Sequence, residues 1–275
     1  MKIDAHKLSG LGNIILIVDF IRQEGLIDSS SIDKIIDEGQ ANFDQLITID
    51  PPTEPEVDLS VQIFNNDGSK AKNCINGARC LAKYVSDSGL IPQKKFSVIT
   101  DGGVWSLTDN QDGTFSVQMP SPDFIQGIDA LPPKNSNDKY TLAIKDIEFE
   151  IALINLGNPH AVHYLKDITD FPLASVGKDL QDSQWFPDGV NFGIAKVISK
   201  SEIALRVYER GAGETLACGS GACAAVVAGC HDGLLEENVE VSFTKGKLNV
   251  NYNKGSGILI ARGGADYLNG LSLEI

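Results

Sequence analysis

Two kinds of hydrophobic pattern take turns along the chain. Val61 to Phe64 and Ile203 to Tyr208 are rich in β-branched and aromatic residues with intervening polar positions, which predicts strands. Gly77 to Ser88 and Gly221 to Asp232 predict helices, closed by Gly89 and Gly233. Short strand patterns follow each helix. They are Phe96 to Ile99, Val104 to Thr108 and Phe115 to Met119 after the first, then Val239 to Phe243, Leu248 to Tyr252 and Ile258 to Ala261 after the second. Asp112-Gly113 marks a hairpin turn between two of them. The second helix, Ala222-Cys223-Ala224-Ala225-Val226-Val227-Ala228-Gly229-Cys230, is apolar nearly all round. A helix apolar on every face is buried on every face, and about a dozen residues is too short to cross a membrane. Such a helix needs strands of its own lobe wrapped around it.

The pattern is also written twice. Cys74-Ile75-Asn76-Gly77-Ala78 recurs 144 positions later as Cys218-Gly219-Ser220-Gly221-Ala222. At the same offset Gly89 maps onto Gly233, Thr100 with Gly102 onto Thr244 with Gly246, and Asn65 onto Glu209. Gly12-Asn13 and Gly157-Asn158 sit near the start of each copy. A fixed offset held over tens of residues signals an internal repeat. The expected fold is α+β: two pseudo-symmetric lobes, each a β-sheet or barrel wrapped around a central helix. Pro120-Ser121-Pro122 suits a crossing between lobes, and the stretch from Gly263 suits a return to the first. Residues 1–119 with 263–275 then form an N-terminal lobe carrying Cys74, and 120–262 a C-terminal lobe carrying Cys218.

Charge narrows the partners. The 275 residues carry 23 basic against 37 acidic side chains, a net −14. Phosphate backbones and anionic lipid surfaces repel such a chain, so neither nucleic acid nor a membrane is an expected partner. The longest apolar run, near Ile14 to Val18, falls far short of the roughly 20 residues of a membrane span. The opening Met1-Lys2-Ile3-Asp4-Ala5-His6-Lys7 carries no apolar signal core, so a cytoplasmic location is expected. Five cysteines, an odd number, fit reduced thiols better than a disulfide framework. Their spacings give neither C-x-x-C nor a Cys/His cluster, and no G-x-G-x-x-G or Walker fingerprint appears, so no metal and no cofactor are expected.

The repeat puts Cys74 and Cys218 at equivalent positions, each just before a small-residue turn that opens a helix. A helix N-terminus carries unsatisfied N–H groups and partial positive charge, which favours a thiolate and can hold a carboxylate. Two such half-sites facing one substrate would set a sulfur on each side of an α-carbon. One thiolate removes the α-proton and the opposite thiol returns one, which inverts the centre. Cys80, Cys223 and Cys230 lie inside the helices and read as buried structural residues.

At these residues the chain resembles a known family. Glu209-Arg210-Gly211-Ala212-Gly213-Glu214-Thr215-Leu216-Ala217-Cys218-Gly219-Ser220-Gly221-Ala222 matches the second cysteine motif of the diaminopimelate epimerases. Phe64-Asn65-Asn66-Asp67-Gly68-Ser69, followed by Cys74-Ile75-Asn76-Gly77-Ala78-Arg79-Cys80, resembles the first. Gly10-Leu11-Gly12-Asn13, Phe43-Asp44-Gln45-Leu46 and Gly157-Asn158-Pro159-His160 resemble further motifs, in order, so the likeness covers the whole chain. It implies cofactor-free interconversion of LL- and meso-diaminopimelate, in lysine and peptidoglycan precursor synthesis, with Cys74 and Cys218 as the acid–base pair. It implies that amides around Ile75-Asn76 and Gly219-Ser220 hold the reacting carboxylate. It implies that Asn13, Gln45, Asn65, Asn158, Asn191 and Arg210 bind substrate, and that Glu209 meets the distal ammonium. His160 and Glu209 are implied to shape the thiols' protonation. The resemblance leaves a homodimer open.

Bland alternatives stand beside these roles. Asn65, Asn76, Asn158 and Asn191 could be turn residues, His160 a satisfied core histidine, and Glu209 with Arg210 a surface ion pair. Three positions depart from the family pattern. Ile14 stands where Asp is usual, Ile75 where Gly is usual and Leu156 where Met is common. A β-branched Ile75 would be strained if the site demanded positive φ. Two other functions compete: another cofactor-independent amino-acid racemase or epimerase of the same architecture, and a non-catalytic amino-acid binding protein.

Overall fold

The computed structural model describes residues 1–125, 131–135, 137–145 and 147–275. The chain divides into two compact units, Met1–Pro120 with Arg262–Ile275, and Ser121–Ala261. The fold is α+β, as expected from the sequence, and mostly sheet.

The first unit runs β1 (Lys2–Gly10), β2 (Asn13–Asp19), α1 (Ser29–Asp37), β3 (Gln45–Asp50), β4 (Leu59–Asn65), α2 (Ile75–Ser88), β5 (Lys95–Thr100), β6 (Gly103–Asp109) and β7 (Thr114–Met119). Successive strands are neighbours, and the pairings β1/β2, β2/β3, β3/β4, β4/β5 and β5/β6 are antiparallel, parallel, antiparallel, parallel and antiparallel. Each parallel step needs a crossover, and α1 and α2 supply them.

The second unit runs β8 (Asp123–Phe124), β9 (Tyr140–Ile144), β10 (Ile147–Asn155), β11 (Pro159–Tyr164), α3 (Leu173–Gln181), β12 (Asn191–Ser199), β13 (Glu202–Glu209), β14 (Gly213–Thr215), α4 (Gly219–His231), β15 (Asn238–Phe243) and β16 (Gly246–Asn253). The pairings β10/β11, β11/β12, β12/β13, β13/β15 and β15/β16 repeat the same antiparallel–parallel series. Here α3 and α4 make the crossovers. The written repeat of the sequence is therefore a repeat of topology. β17 (Ile258–Gly264) leads out of the second unit, and β18 (Asp266–Glu274) pairs antiparallel with β1.

The central helices are buried as their composition requires. In α4 every residue from Gly221 to Cys230 is buried, against β10, β11, β12, β13 and β16. In α2 the buried run is Ile75 to Ala82, against β1, β2, β3, β6, β7 and β18. The outer helices serve a second layer. Ile32 and Ile35 of α1 pack with Leu16, Val18, Leu46 and Phe64, while Leu173, Val176 and Leu180 of α3 pack with Ile151, Phe192 and Ile194. α2 closes on Gly89 in the left-handed region, φ 63°. No helix among the described residues is long and apolar enough to cross a membrane.

Candidate active site

Each central helix begins on a cysteine. Cys74 (φ −149°, ψ 99°) and Cys218 (φ −121°, ψ 111°) are extended N-cap residues whose sulfurs accept from the third amide of the helix. The distances are 3.1 Å from Gly77 N–H and 3.3 Å from Gly221 N–H. Glycine at that third position makes room. A Cβ on Gly77 would lie 2.6 Å from Ile47 Cδ1 and 3.1 Å from the Cys74 sulfur. A Cβ on Gly221 would lie 2.9 Å from Val207 Cγ2 and 3.3 Å from the Cys218 sulfur.

In the first unit, strand ends deliver amide side chains to Cys74. Gln45 opens β3 and faces Asn65, the last residue of β4, while Asn13 opens the neighbouring β2. The Cys74 thiol donates to Gln45 Oε1 and lies 3.9 Å from Asn13 Oδ1. Gln45 Nε2 donates to Asn65 Oδ1 (3.1 Å), and Asn65 Nδ2 to Ser69 Oγ (3.0 Å). One sulfur and three amides thus form one connected set. Asn76, in the first turn of α2, is buried and its Oδ1 accepts from Arg79 Nη2 at 3.0 Å. The Arg79 guanidinium is fully buried and also donates to Gly264 O and Ile75 O.

In the second unit, Cys218 donates to Glu209 Oε2 at 3.0 Å, and Ser220 Oγ lies 3.5 Å from the sulfur. The other carboxylate oxygen, Oε1, accepts from Thr215 Oγ1 at 2.5 Å. Gly219 is the first residue of the helix. Arg210 follows Glu209. Its backbone N–H donates to Asn191 Oδ1 (2.9 Å) and its Nη1 to Asp188 O (3.0 Å). Asn191 opens β12 opposite His160 of β11, and Asn191 Nδ2 donates to Pro159 O (3.3 Å). The His160 ring nitrogen Nε2 sits 3.1 Å from Asn158 Oδ1.

Electrostatics differ from the simple helix-terminus expectation. Burial, the adjacent Glu209 charge and the hydrogen bond to Glu209 push the Cys218 thiol well above its usual pKa, against the lowering from Ser220 and the Gly221 N–H. Cys218 is therefore held protonated. Burial and the nearby Arg210 charge push His160 down to about 3, so this fully enclosed imidazole is neutral. Cys80 and Cys230 are raised to about 12 and about 11 by burial, as suits structural thiols.

The sequence model of the diaminopimelate epimerase family matches residues 5–125 and 152–268. The chain belongs to the diaminopimelate epimerase family. The diaminopimelate epimerase of Acinetobacter baumannii strain AYE is 38% identical over 257 residues, 93% of this chain and 92% of that one. Solved structures share the fold at low identity. A probable proline racemase from Agrobacterium radiobacter K84 has a TM-score of 0.77 at 12% identity, over 99% of this chain and 93% of that one. A hydroxyproline epimerase from Agrobacterium vitis has 0.71 at 13%, over 99% and 92%. Members of the diaminopimelate epimerase family are isomerases, and this chain is one by membership.

The departures from the family pattern are accommodated. Ile75 is helical and not among the residues of positive φ, so the isoleucine is unstrained and its N–H keeps its place in the first turn. Ile14 packs at the edge of the α1 cluster, and its backbone is held on both sides by Asp44: Ile14 N–H to Asp44 Oδ2 at 2.7 Å, Asp44 N–H to Ile14 O at 2.9 Å. Leu156 donates its backbone N–H to Asn158 O across the turn that carries Asn158. Four residues that touch these groups have no role assigned from sequence: Asp44, Arg79, Thr215, and Gly189, which packs against the Arg210 side chain. Asp44, Arg79 and Thr215 stood inside the quoted motifs without a role.

Proposed function

We propose that this protein interconverts LL- and meso-diaminopimelate without a cofactor, using Cys74 and Cys218 as the acid–base pair. The observation that carries the reading is the matched pair of N-cap thiols. Each sulfur sits at the first turn of a buried helix, and one of them is hydrogen-bonded to a carboxylate. Family membership and the 38% identical epimerase relative support the substrate.

In this reading the first-turn amides near Ile75-Asn76 and Gly219-Ser220 receive the reacting carboxylate. The α C–H bond breaks as its proton passes to one sulfur, and the electron pair spreads into an enediolate. Backbone donors aimed at that charge are worth about 3 kcal/mol each. The opposite thiol delivers its proton to the other face, which inverts the centre and leaves the two sulfurs with exchanged protonation. Cys218, buried beside Glu209, starts as the donor, and Cys74 takes the part of the base. In the reverse direction Cys218, left as the thiolate by the forward turnover, takes the α-proton and the Cys74 thiol returns one to the opposite face. His160, neutral and hydrogen-bonded to Asn158, acts by holding that side chain in place.

Arg210, Asn13, Asn65, Asn158 and Asn191 then bind the substrate, mainly at its distal, non-reacting amino-acid head, where a planar guanidinium suits a carboxylate, and Gln45 lies in the same pocket. The work is done in the cytoplasm, in lysine and peptidoglycan precursor synthesis. The test is incubation of the protein with LL-diaminopimelate and no added cofactor, followed by chiral chromatography. Appearance of the meso isomer, with one solvent deuterium at the inverted carbon in heavy water, is the expected result. Tight binding with no deuterium incorporation would mean a binding protein instead.

A further inference from the structure

We propose that Thr215 is a positioning residue that locks the Glu209 carboxylate against the Cys218 thiol. The inference rests on the reading of Cys218 as an acid–base group and assigns how its partner is held.

The geometry begins with the β13–β14 hairpin. Val207 is paired with Thr215, and Glu209 with Gly213. Residues paired directly across a sheet share a face, and so do residues two apart on one strand. Thr215 therefore lies on the Glu209 face, one diagonal step away. The position directly opposite Glu209 is glycine, so no side chain stands there. The Thr215 hydroxyl reaches Glu209 Oε1 at 2.5 Å, and the Cys218 sulfur reaches Oε2 at 3.0 Å. A glutamate side chain has several rotamers, and a carboxylate held by one oxygen can still turn. With both oxygens engaged it presents one fixed acceptor to the sulfur.

The first unit shows a related device at the equivalent strand end. Asn65, which the repeat equates with Glu209, is held by a hydroxyl of its own loop: Asn65 Nδ2 donates to Ser69 Oγ, and Ser69 Oγ donates to Asp67 Oδ1 at 2.5 Å. Asn65 then passes the constraint through Gln45, which in turn accepts from Cys74. A hydroxyl latch on the last residue of the strand recurs in both halves, although its donor sense is opposite. In the second half the latched group is charged and touches the thiol directly.

The experiment compares wild type with Thr215→Val, which keeps the shape and removes the donor, and Thr215→Ser, which restores it. Glu209→Gln is the reference for loss of the charge. On LL-diaminopimelate, Thr215→Val is expected to lose about tenfold or more in kcat with KM near wild type, the scale of a hydrogen bond to a charged group. Thr215→Ser is expected to recover it. Independently, iodoacetamide labelling of Cys218 near neutral pH is followed by peptide mass mapping. It is expected to speed up in Glu209→Gln and in Thr215→Val, since both weaken the carboxylate hold that keeps the thiol protonated, and to stay at the wild-type rate in Thr215→Ser. If the Val variant folds poorly, Thr215→Ala removes the same donor. Wild-type kcat and labelling in the hydroxyl-free variants, or a Ser variant that behaves like Val, would overturn the inference. A wild-type protein inactive on diaminopimelate would overturn the functional reading alone, and the labelling rates would still decide the role of Thr215.

Discussion

Gly189 and Arg210 are seated against each other: a Cβ on Gly189 would lie 2.8 Å from Arg210 Cδ and 3.0 Å from Cγ. Gly189 also has φ +73°, a region that side chains rarely adopt. The adjoining Asp188 carbonyl accepts from Arg210 Nη1. The loop before β12 therefore fixes where the guanidinium points, through absence of a side chain and presence of a carbonyl. Gly189→Ala is expected to lower stability by about 1–3 kcal/mol through backbone strain and to displace Arg210. Activity should fall mainly through KM. Thermal melting and steady-state kinetics check both, and an Ala variant with wild-type Tm and KM would remove the seat from the account.

Arg210 itself makes a sharper prediction. Removing a charge-assisted fork from a binding site costs about 2–5 kcal/mol. Arg210→Ala is expected to lose most activity on diaminopimelate, and Arg210→Lys to recover only part, because an ammonium cannot offer two parallel donors. Wild-type kcat/KM in the Ala variant would mean that the distal carboxylate is read elsewhere.

Much of this architecture is legible in the sequence, and the gaps have physical causes. The buried helix α4 announces itself because Ala222 to Cys230 has no polar face, and α2 because Gly89 closes it. The structure starts both helices two residues earlier than the pattern does, at Ile75 and Gly219, directly after the capping thiols. The outer helices α1 and α3 leave weaker traces. α1 buries only Ile32 and Ile35, too few for a period to stand out, although Asp28 forms a capping box with Ser31. α3 begins after Pro172 with no side-chain cap and carries Gly177, which reads as a breaker. Its true reason is packing: a Cβ there would lie 2.5 Å from Tyr208 Cγ. The protonation of Cys218 misleads for a related reason. A helix start is visible in sequence, but the burial and the Glu209 contact that outweigh it exist only once β13 and β14 pair.

The two thiols are expected to be separately indispensable for inversion. Cys74→Ala and Cys218→Ala should each reduce epimerisation by about 10²–10⁴-fold or more, the usual worth of an acid–base group. Cys→Ser variants should retain elimination on an analogue bearing a β leaving group, which needs one base rather than two. Chiral chromatography reads the first and release of the leaving group the second. An Ala variant that epimerises near the wild-type rate would remove that cysteine from the mechanism.

His160 ties the site to the acid stability of the fold. Its imidazole is almost completely buried, pushed down to about 3 from an ordinary value near 6.5, first by burial and then by the Arg210 charge. Between those two values the unfolded chain binds a proton at this position and the folded one does not. Stability therefore rises with pH across that window, by about 1.4 kcal/mol per unit at most from this residue. The contribution is fully present above pH 6.5 and is lost progressively as the pH falls toward 3. His160→Gln keeps a polar group that can bond Asn158 and removes the titration. Urea midpoints measured from pH 7 down to 4 should fall more steeply for wild type than for His160→Gln, with the two curves closest in slope above pH 6.5. Parallel curves throughout would show that the folded protein takes up the proton at His160 as readily as the unfolded chain, and that the enclosure around Asn158, Asn191 and Arg210 opens in acid before the fold does.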